Sequence, residues 1–283
     1  MTIKEALASA RDQLALPFIE RPRLEAEILL QELLKKERSW LHAHDETLLS
    51  DEESQNYQSL LKRRLQGEPI EYILERASFY SRDFYVASGV LIPRPETEIL
   101  IDWASSLIAS HPICRVAEVG IGSGIISSTL ALLHPHLTFE ASDISPRALE
   151  VARENLKRMG AESRITLHLG SLLEPLEGEF DLLLSNPPYI AQNTPLPKPL
   201  NFEPSEALFG GERGSELLEE LIKEAQKRSI PYMIAEMGYD QRGAIERFME
   251  RIPHQELRFY QDLAGLDRGF IVRFDSSLDS LRP

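Results

Sequence analysis

Between residues 115 and 274, short apolar segments alternate with segments in which apolar residues recur at helical spacing. This alternation predicts an α/β domain whose strands are joined by crossover helices, and therefore a doubly wound, largely parallel sheet. The seven predicted strands are 115–119, 137–142, 164–169, 180–185, 231–236, 257–260 and 270–274. The predicted helices between them are 125–133, 146–159, 215–228 and 241–251. Since no helix separates the last two strands, they should form an antiparallel pair at one edge.

The chain before this domain has a different pattern. Residues 1–75 contain no strand pattern, and their leucines and isoleucines recur at helical spacing, which predicts a small helical bundle. Ser50 followed by Glu53 is a capping-box signature that predicts a helix running to about Gln66. Residues 76–92 have the pattern of a β-hairpin. We therefore predict a helical domain over 1–75 that holds a macromolecular partner, a β-hairpin linker over 76–92 with Gly89–Ile92 as a strand, and the α/β domain over 93–283.

Charge and length exclude several classes of function. The formal net charge is −14, whereas binding to a nucleic-acid backbone depends on clustered Lys and Arg, so no direct nucleic-acid binding is expected. The one short basic run, Lys62-Arg63-Arg64, is interpreted as the solvated face of a helix. No apolar stretch approaches the length of a membrane span, and residues 1–14 read as an amphipathic helix. A cytoplasmic protein with no membrane partner is expected.

Cysteine and histidine usage gives no sign of a metal. The single Cys114 rules out an internal disulfide and a cysteine metal cluster, and its place before an apolar strand favours a core position. His134, His136 and His168 are scattered at spacings that suggest no metal site. We expect a protein without a bound metal.

The apolar strand at 180–185 stops at Asn186-Pro187-Pro188-Tyr189. Parallel sheets bind ligands at the carboxyl ends of their strands. Because proline has no N–H and holds the preceding residue extended, the backbone of this turn can only accept hydrogen bonds. Together with the Asn186 side-chain carbonyl it offers two acceptors to a planar NH2 group, and the Tyr189 ring can cover that group. The alternative is an ordinary loop start, since Asn-Pro is a common turn initiator.

A second motif, Glu118-Val119-Gly120-Ile121-Gly122-Ser123-Gly124, follows the first strand and opens a helix. Such glycines let the backbone approach a ligand closely, but the dinucleotide fingerprint would need glycine where Ile125 stands. A smaller nucleoside ligand is therefore favoured. Asp143 ends the second strand, where an acid accepts hydrogen bonds from ribose hydroxyls. The alternative is that Asp143–Pro146 only caps the next helix, with Ser145 at the cap, and the two roles are compatible.

Two further features lie near these motifs in the sequence. Residues 191–214 contain four prolines and no strand or helix pattern, and are interpreted as a lid because long irregular connections are usually functional or mobile. Arg94 stands between two prolines, where it either faces a site or pairs with an acid.

In this order and spacing, the glycine turn, Asp143 and Asn186–Tyr189 resemble the class I S-adenosylmethionine-dependent methyltransferases that act on planar nitrogen. Leu91-Ile-Pro-Arg-Pro-Glu-Thr-Glu98 and Phe202-Glu-Pro-Ser-Glu-Ala-Leu208 resemble motifs of the HemK-like protein-(glutamine-N5) methyltransferases. That family modifies the glutamine of the Gly-Gly-Gln motif in class 1 peptide-chain release factors. The resemblance extends over essentially the whole chain.

The resemblance implies a seven-stranded class I methyltransferase sheet, S-adenosylmethionine as methyl donor, and a class 1 release factor as protein partner. It implies that Asn186, Pro187 and Tyr189 are catalytic, that Asp143 holds the ribose, and that Ser171 and Leu172 flank the adenine. The cofactor residues implied are Glu118, Gly120, Ile121, Gly122, Ser123, Gly124, Asp143, Ser171, Leu172 and Asn186. The substrate residues implied are Arg94, Asn186, Pro187, Pro188 and Tyr189.

Alternative functions stay open at this point. Adenine N6 also presents a planar NH2, so a base of DNA or RNA could be the methyl acceptor, as could another protein glutamine. A non-catalytic module that keeps the nucleoside pocket as a scaffold is a further alternative.

Overall fold

Residues 1–275 are described by a computed structural model, in which the chain forms two units. Of the described residues, the first unit comprises 1–76 together with 195–202, and the second comprises 77–194 together with 203–275. Part of the segment interpreted as a lid therefore belongs to the helical unit. Within residues 1–275, no helix combines the length and the apolar character that crossing a membrane requires.

The helices and strands carry the following labels. The helices are α1 (Ile3–Gln13), α2 (Pro22–Leu34), α3 (Arg38–Ala43), α4 (Asp51–Leu65), α5 (Ile70–Leu74), α6 (Thr97–Ser110), α7 (Ile125–Leu133), α8 (Pro146–Met159), α9 (Glu216–Lys227) and α10 (Arg242–Met249). The strands are β1 (Arg76–Phe79), β2 (Arg82–Tyr85), β3 (Arg115–Val119), β4 (Thr138–Asp143), β5 (Ile165–Leu169), β6 (Leu182–Ser185), β7 (Ile190–Ala191), β8 (Phe209–Gly211), β9 (Tyr232–Glu236), β10 (His254–Gln261) and β11 (Asp267–Phe274).

The first unit is the predicted helical bundle. Helices α1 to α5 bury one apolar face each, and Leu29, Leu41 and Leu61 are fully buried in the shared core. The capping box predicted from Ser50 and Glu53 is present, and α4 ends one residue before Gln66 as expected. Reciprocal capping of this kind satisfies backbone N–H groups that the first helical turn leaves without partners.

The interpretation of Lys62-Arg63-Arg64 as a solvated helix face is wrong for Arg64. Its side chain is buried, donates to Glu25 Oε2 at 2.5 Å, and lies over the Phe18 ring. Lys62 is exposed, and Arg63 pairs with Glu68 at 2.6 Å. A buried ion pair offsets the cost of removing the arginine charge from water, which the local sequence pattern does not reveal.

The predicted hairpin is present but shorter than expected. Strands β1 and β2 pair through a two-residue turn, in which Tyr80 and Ser81 have φ values of 48° and 60°. Two positive φ values are the signature of a type I′ hairpin turn. The expectation that Gly89–Ile92 forms a strand is wrong, because this stretch is irregular and its Ile92 N–H donates to the Glu203 carboxylate.

Within the described part of the chain, the main sheet has seven strands in the order β10-β11-β9-β6-β3-β4-β5. Strands β9, β6, β3, β4 and β5 are parallel, and β10 and β11 form the predicted antiparallel pair at one edge. Strand β11 also pairs antiparallel with β9. The four residues of β6 are all buried, as its apolar run predicts for a strand in the middle of a doubly wound sheet.

Two local expectations are corrected by the fold. Residues 191–214 are not wholly irregular, since β7 and β8 form a short parallel pair and two 3-10 turns lie at Lys198–Phe202 and Ser205–Ala207. Their interpretation as a lid stays a prediction. Cys114 is exposed rather than in the core, because it precedes β3 at its open amino end.

Asn155 joins three parts of the second unit. It is fully buried on α8, its Oδ1 accepts from Tyr85 N–H at 2.7 Å, and its Nδ2 donates to the carbonyls of Tyr85 and Ser123 at 2.8 Å each. These bonds tie the end of the hairpin and the glycine turn to the same helix. Every polar atom of this buried amide therefore has a partner.

Asn155→Ala should lower the free energy of unfolding by about 2–4 kcal/mol, because it removes the hydrogen bonds of a fully buried amide to backbone groups of Tyr85 and Ser123. Urea denaturation followed by circular dichroism measures the change. Arg153→Ala, at an exposed position of the same helix, is the matched control. Equal stability of the two variants would contradict the structural role of Asn155.

Candidate active site

The register of the sheet brings the predicted site residues together. Ser142, Val119, Ser185 and Ala235 lie in one row across β4, β3, β6 and β9. The residues that follow them are Asp143, Gly120, Asn186 and Glu236, at the carboxyl ends of four neighbouring strands. In a parallel sheet, ligands bind in the crevice outside the carboxyl ends of the strands, so these four residues can face the same ligand. Three of these four residues were predicted, and Glu236 was not.

A cleft with an empty volume of about 870 Å³ opens at this edge of the sheet. Apolar side chains such as Val90, Leu91 and Ile144 line it beside a few polar groups. The predicted site residues that line the cleft are Gly120, Gly122, Asp143, Ser171, Leu172, Asn186, Pro187 and Pro188. The predicted residues that do not line it are Arg94, Glu118, Ile121, Ser123, Gly124 and Tyr189.

The glycine turn is held by Asp143. Gly122 N–H donates to Asp143 Oδ2 and Ser145 N–H donates to Oδ1, both at 2.9 Å. Ser145 caps α8 through its bond from Ala148 N–H, so capping and a place in the cleft coexist as predicted. Gly120, Gly122 and Gly124 have φ values of 74°, 54° and 79°, which glycine adopts at little cost. Burial raises the pKa of Asp143, and the two backbone donors act against that rise.

Leu172, which lines the cleft, occupies an unusual backbone position. Its φ is 48°, and its carbonyl accepts from the buried Ser142 hydroxyl at 2.6 Å. Ser171, the residue before it, is exposed. The hydrogen bond holds a strained residue in place, so the two predicted adenine neighbours lie on a fixed turn.

Glu118 lies beneath the glycine turn and is completely buried. Its Oε2 accepts from the Ser127 N–H at 3.0 Å and from the Ser127 hydroxyl. Its Oε1 has no hydrogen-bond partner within residues 1–275. Burial raises the pKa of Glu118 to about 8, and the nearby Asp143 charge adds to the rise. The carboxyl group therefore binds the first turn of α7 and does not line the cleft.

Asn186 and Tyr189 are joined by two buried residues. Asn186 Nδ2 donates to Thr97 Oγ1 at 3.1 Å, and Thr97 Oγ1 donates to Glu236 Oε2 at 2.7 Å. Tyr189 Oη donates to the other oxygen, Glu236 Oε1, at 3.2 Å. Thr97 is fully buried and Glu236 is 2% exposed. The two ends of the Asn-Pro-Pro-Tyr turn thus share one carboxylate.

Arg94 pairs with an acid, which was one of the two possibilities left by the sequence. Its Nη2 donates to Glu203 Oε1 at 2.5 Å, while Glu203 Oε2 accepts from Ile92 N–H at 3.0 Å. The Glu203 side chain is buried. Glu203 therefore links Ile92 and Arg94, which lie a few residues before Thr97 and α6.

The backbone after Pro187 is packed tightly against glycines. A Cβ at Gly210 would lie 2.3 Å from Pro188 O, and one at Gly214 would lie 2.3 Å from Tyr189 O. Gln241 Nε2 also donates to Tyr189 O at 2.8 Å. The turn is therefore held from the side of β8 as well as by Glu236, and only glycine permits the close approach.

Sequence reasoning missed Thr97, Glu203 and Glu236. A signal existed for Glu236, since an acid ends the predicted strand 231–236 at the edge where ligands bind. Thr97 and Glu203 lie within the two segments that carried the resemblance, but no local pattern pairs them with Asn186 or Arg94. Within residues 1–275, no group of three His, Cys, Asp or Glu side chains could hold a metal ion.

Comparison with known proteins adds family information. A family model described as PrmC N-terminal domain matches residues 5–74, and one described as Methyltransferase small domain matches residues 97–197. The chain is 36% identical over 276 residues to the release factor glutamine methyltransferase of Coxiella burnetii (strain RSA 493 / Nine Mile phase I), with 96% of this chain and 99% of the relative covered. It is 35% identical over 284 residues to that of Koribacter versatilis (strain Ellin345), with 98% and 100% covered.

Among solved structures, the hMettl16 catalytic domain, determined in complex with a MAT2A 3′UTR hairpin, is similar with a TM-score of 0.57. The identity is 15%, and the match covers 81% of this chain and 84% of that one. At this identity the likeness concerns the fold, and it agrees with the methyltransferase sheet expected from the sequence.

Glu118→Gln should change how stability depends on pH. Because the folded-state pKa of about 8 lies above the ordinary 4.5, the folded protein holds this proton more tightly than the unfolded chain. The stability that this protonated carboxyl contributes is fully present below pH 4.5 and is lost as the pH rises towards 8. Between about pH 5 and pH 8, the free energy of unfolding of the variant should therefore rise by a few kcal/mol relative to that of the wild type, since one pKa unit is about 1.4 kcal/mol.

Urea denaturation of ligand-free protein at several pH values measures this difference, and the exposed Glu179→Gln is the matched control. The pKa of Glu236 is raised in the same direction, but wild type and variant both retain this residue. Its effect on stability therefore cancels when the two proteins are compared at each pH. A constant offset between wild type and Glu118→Gln across the range would contradict the prediction.

Proposed function

The chain belongs to the release factor glutamine methyltransferases, and we propose that it transfers a methyl group from S-adenosylmethionine to the side-chain N5 of the glutamine in the Gly-Gly-Gln motif of class 1 release factors. The observation that carries this proposal is the turn Asn186–Tyr189, which opens into the cleft beside Gly120 and Asp143. Relatives over the full length of the chain bear the name of this activity.

The residues of the cleft fit S-adenosylmethionine. The backbone at Gly120 leaves open space where a Cβ would project, with nothing within 4 Å, so a ligand can approach the main chain there. The half-buried Asp143 carboxylate would accept hydrogen bonds from ribose hydroxyls, and the apolar walls near Leu172 and Ile144 suit the face of an adenine. Glu118, Ile121, Ser123 and Gly124 would act by shaping the turn.

In this proposal Asn186, Pro187 and Tyr189 hold the substrate amide. The Asn186 side-chain oxygen and the Pro187 carbonyl would each accept one N–H of the glutamine NH2, with Pro188 and the Tyr189 ring completing the turn around it. Arg94 would contribute indirectly by fixing the segment that leads to Thr97. Since an amide nitrogen is a weak nucleophile, orientation is the main contribution, and ordering the reactants can supply on the order of 7–11 kcal/mol.

When bound, S-adenosylmethionine supplies an activated methyl group on a sulfonium centre, so no metal is needed in this proposal. The carbon–sulfur bond breaks as the carbon–nitrogen bond forms, and the nitrogen becomes positively charged. Both carbonyl acceptors favour that charge. The methylated nitrogen then releases one proton to water, and no general base is required.

We further propose that the helical unit over 1–75 is the platform for the release factor, and that residues 93–283 with the hairpin linker 76–92 carry the catalytic site. The unit has a core of its own and contains no residue of the cleft. The enzyme would work in the cytoplasm, where release factors act, without a nucleic-acid or membrane partner.

The first test is transfer of labelled methyl from S-adenosylmethionine to a purified class 1 release factor. Label should appear on the release factor and be absent when its Gly-Gly-Gln glutamine is replaced by alanine. DNA and RNA should take up none. Label on nucleic acid, or label that persists on the glutamine variant, would overturn the proposed substrate.

Asn186→Ala should lower kcat on the order of 10²-fold, because one of the two acceptors that orient the amide is lost. Steady-state kinetics with the release factor measures the change, and Gln192→Ala, an exposed amide nearby in the chain, is the matched control. A kcat for Asn186→Ala equal to that of the control would refute the assigned role.

Removing residues 1–75 should weaken release-factor binding far more than S-adenosylmethionine binding, because the cleft lies in the other unit. Titration calorimetry with each ligand measures both affinities. Equal loss of the two would indicate that the helical unit is needed for folding rather than for holding the partner.

A further inference from the structure

The hydrogen bonds around Glu236 have a direction. An ionised carboxylate can only accept hydrogen bonds, so the Thr97 hydroxyl must donate its one hydrogen bond to Glu236 Oε2. The Thr97 oxygen is then left as an acceptor for its other neighbour. Asn186 must therefore turn its NH2 towards Thr97, and its carbonyl oxygen points away from Thr97.

This direction decides the chemistry of the Asn186 side chain. An asparagine amide has a donor end and an acceptor end of nearly equal size, and it can turn over with little change in shape. Only the acceptor end can bind an N–H of a substrate amide. If the side chain turned over, two NH2 groups would face each other and the substrate would be repelled.

We propose that Glu236 and Thr97 are positioning residues, which fix the orientation of the Asn186 amide so that its oxygen faces the methyl-accepting NH2. This inference rests on the function proposed above and assigns a role to two residues that touch neither substrate nor cofactor. The direction of proton donation in the chain Asn186, Thr97, Glu236 carries it.

Glu236 acts on the other end of the turn as well. Tyr189 Oη donates to Glu236 Oε1 at 3.2 Å, so one carboxylate orients both residues that flank the two prolines. An ionised carboxylate can accept hydrogen bonds from both hydroxyls at once. A group that can donate would, in place of this carboxylate, either leave one of the two hydroxyls without an acceptor or reverse the direction of one of the two hydrogen bonds.

The energetic cost of this arrangement points to a role beyond packing. Burial of a carboxylate is costly unless it is paired or hydrogen-bonded. Glu236 is 2% exposed, and among residues 1–275 it makes no salt bridge within 4.0 Å. Its hydrogen bonds come from two neutral hydroxyls. An uncharged residue would fill this place at lower cost than an ionised carboxylate.

The groups around Glu236 place its pKa within the pH range in which enzyme activity can be measured. Burial raises its pKa to about 7, and the charge of Glu96 adds to the rise. The hydroxyls of Thr97 and Tyr189 and the positive charge of Arg268 act in the opposite direction. The buried Tyr260 also faces it, and Arg94 acts on the neighbouring Tyr189.

Protonation would disturb the orientation. A protonated Glu236 gains one O–H donor, and when that proton points to Thr97 the threonine hydroxyl can turn and donate to Asn186 instead. The Asn186 amide can then present its NH2 to the cleft. The rate of methyl transfer should therefore be low when Glu236 is protonated and rise to a plateau as pH increases through about 7.

The experiment uses three variants of the whole chain. Thr97→Val removes the hydroxyl and keeps the shape, and it should lower kcat on the order of 10- to 100-fold while KM for S-adenosylmethionine stays unchanged. Thr97→Ser keeps a hydroxyl and should restore most of the lost rate. Glu236→Gln cannot titrate, so the rise of kcat near pH 7 seen in the wild type should be absent from its profile.

A purely structural role would give other results. Thermal unfolding of each variant identifies loss of fold, and a lower rate that only follows the unfolding midpoint would overturn the inference. So would a Thr97→Val enzyme as fast as Thr97→Ser, or a Glu236→Gln profile that still rises near pH 7.

A second readout does not depend on activity. The side-chain amide signals of Asn186 in nitrogen-15 NMR, identified by their loss in Asn186→Ala, should shift with pH near 7 in the wild type and stay constant in Glu236→Gln. If the wild type transfers no methyl to a release factor, the proposed function fails, and these signals still test the orientation. If methyl is transferred but the signals do not titrate, the positioning role alone is overturned.

Discussion

The register of four parallel strands is the constraint on which the candidate site depends. Because Val119, Ser142, Ser185 and Ala235 share one row, Gly120, Asp143, Asn186 and Glu236 leave the sheet at the same level. A shift of one residue in β6 would turn its buried leucines towards the opposite face and carry Asn186 with them. The apolar packing that fixes the register therefore also fixes the distances between the polar groups of the cleft.

Three buried carboxylates support this edge of the sheet, and each is satisfied differently. Glu203 has a cation, Arg94, and a backbone donor, and it joins two loops. Among the described residues, Ser127 alone donates to Glu118, and burial raises the pKa of Glu118 to about 8. Glu236 has two hydroxyl donors, one from each end of its network. The pairing of Glu203 is that of a structural tie, whereas burial raises the pKa of Glu236 to about 7, so that its charge can change near neutral pH.

Much of the architecture was predictable because its causes are local. The capping box at Ser50, the helix start at Pro146 and the apolar strand before Asn186 are each written in a few consecutive residues. Where long-range partners decide, the pattern misled. Arg64 is buried against Glu25, which lies 39 residues away, and Gly89–Ile92 is irregular because Glu203 takes the Ile92 N–H. No window of sequence around either segment contains its partner.

The sequence by itself determined the class of fold, the glycine turn and the acceptor-only backbone after Asn186, since these follow from periodicity and from what glycine and proline allow. Only the tertiary structure decided which way the Asn186 amide faces. That choice depends on Thr97 at the start of α6 and Glu236 at the end of β9, which are 89 and 50 residues from Asn186 and meet through strand order and burial. Hydrogen-bond direction is a property of the assembled network, and a linear pattern does not contain it.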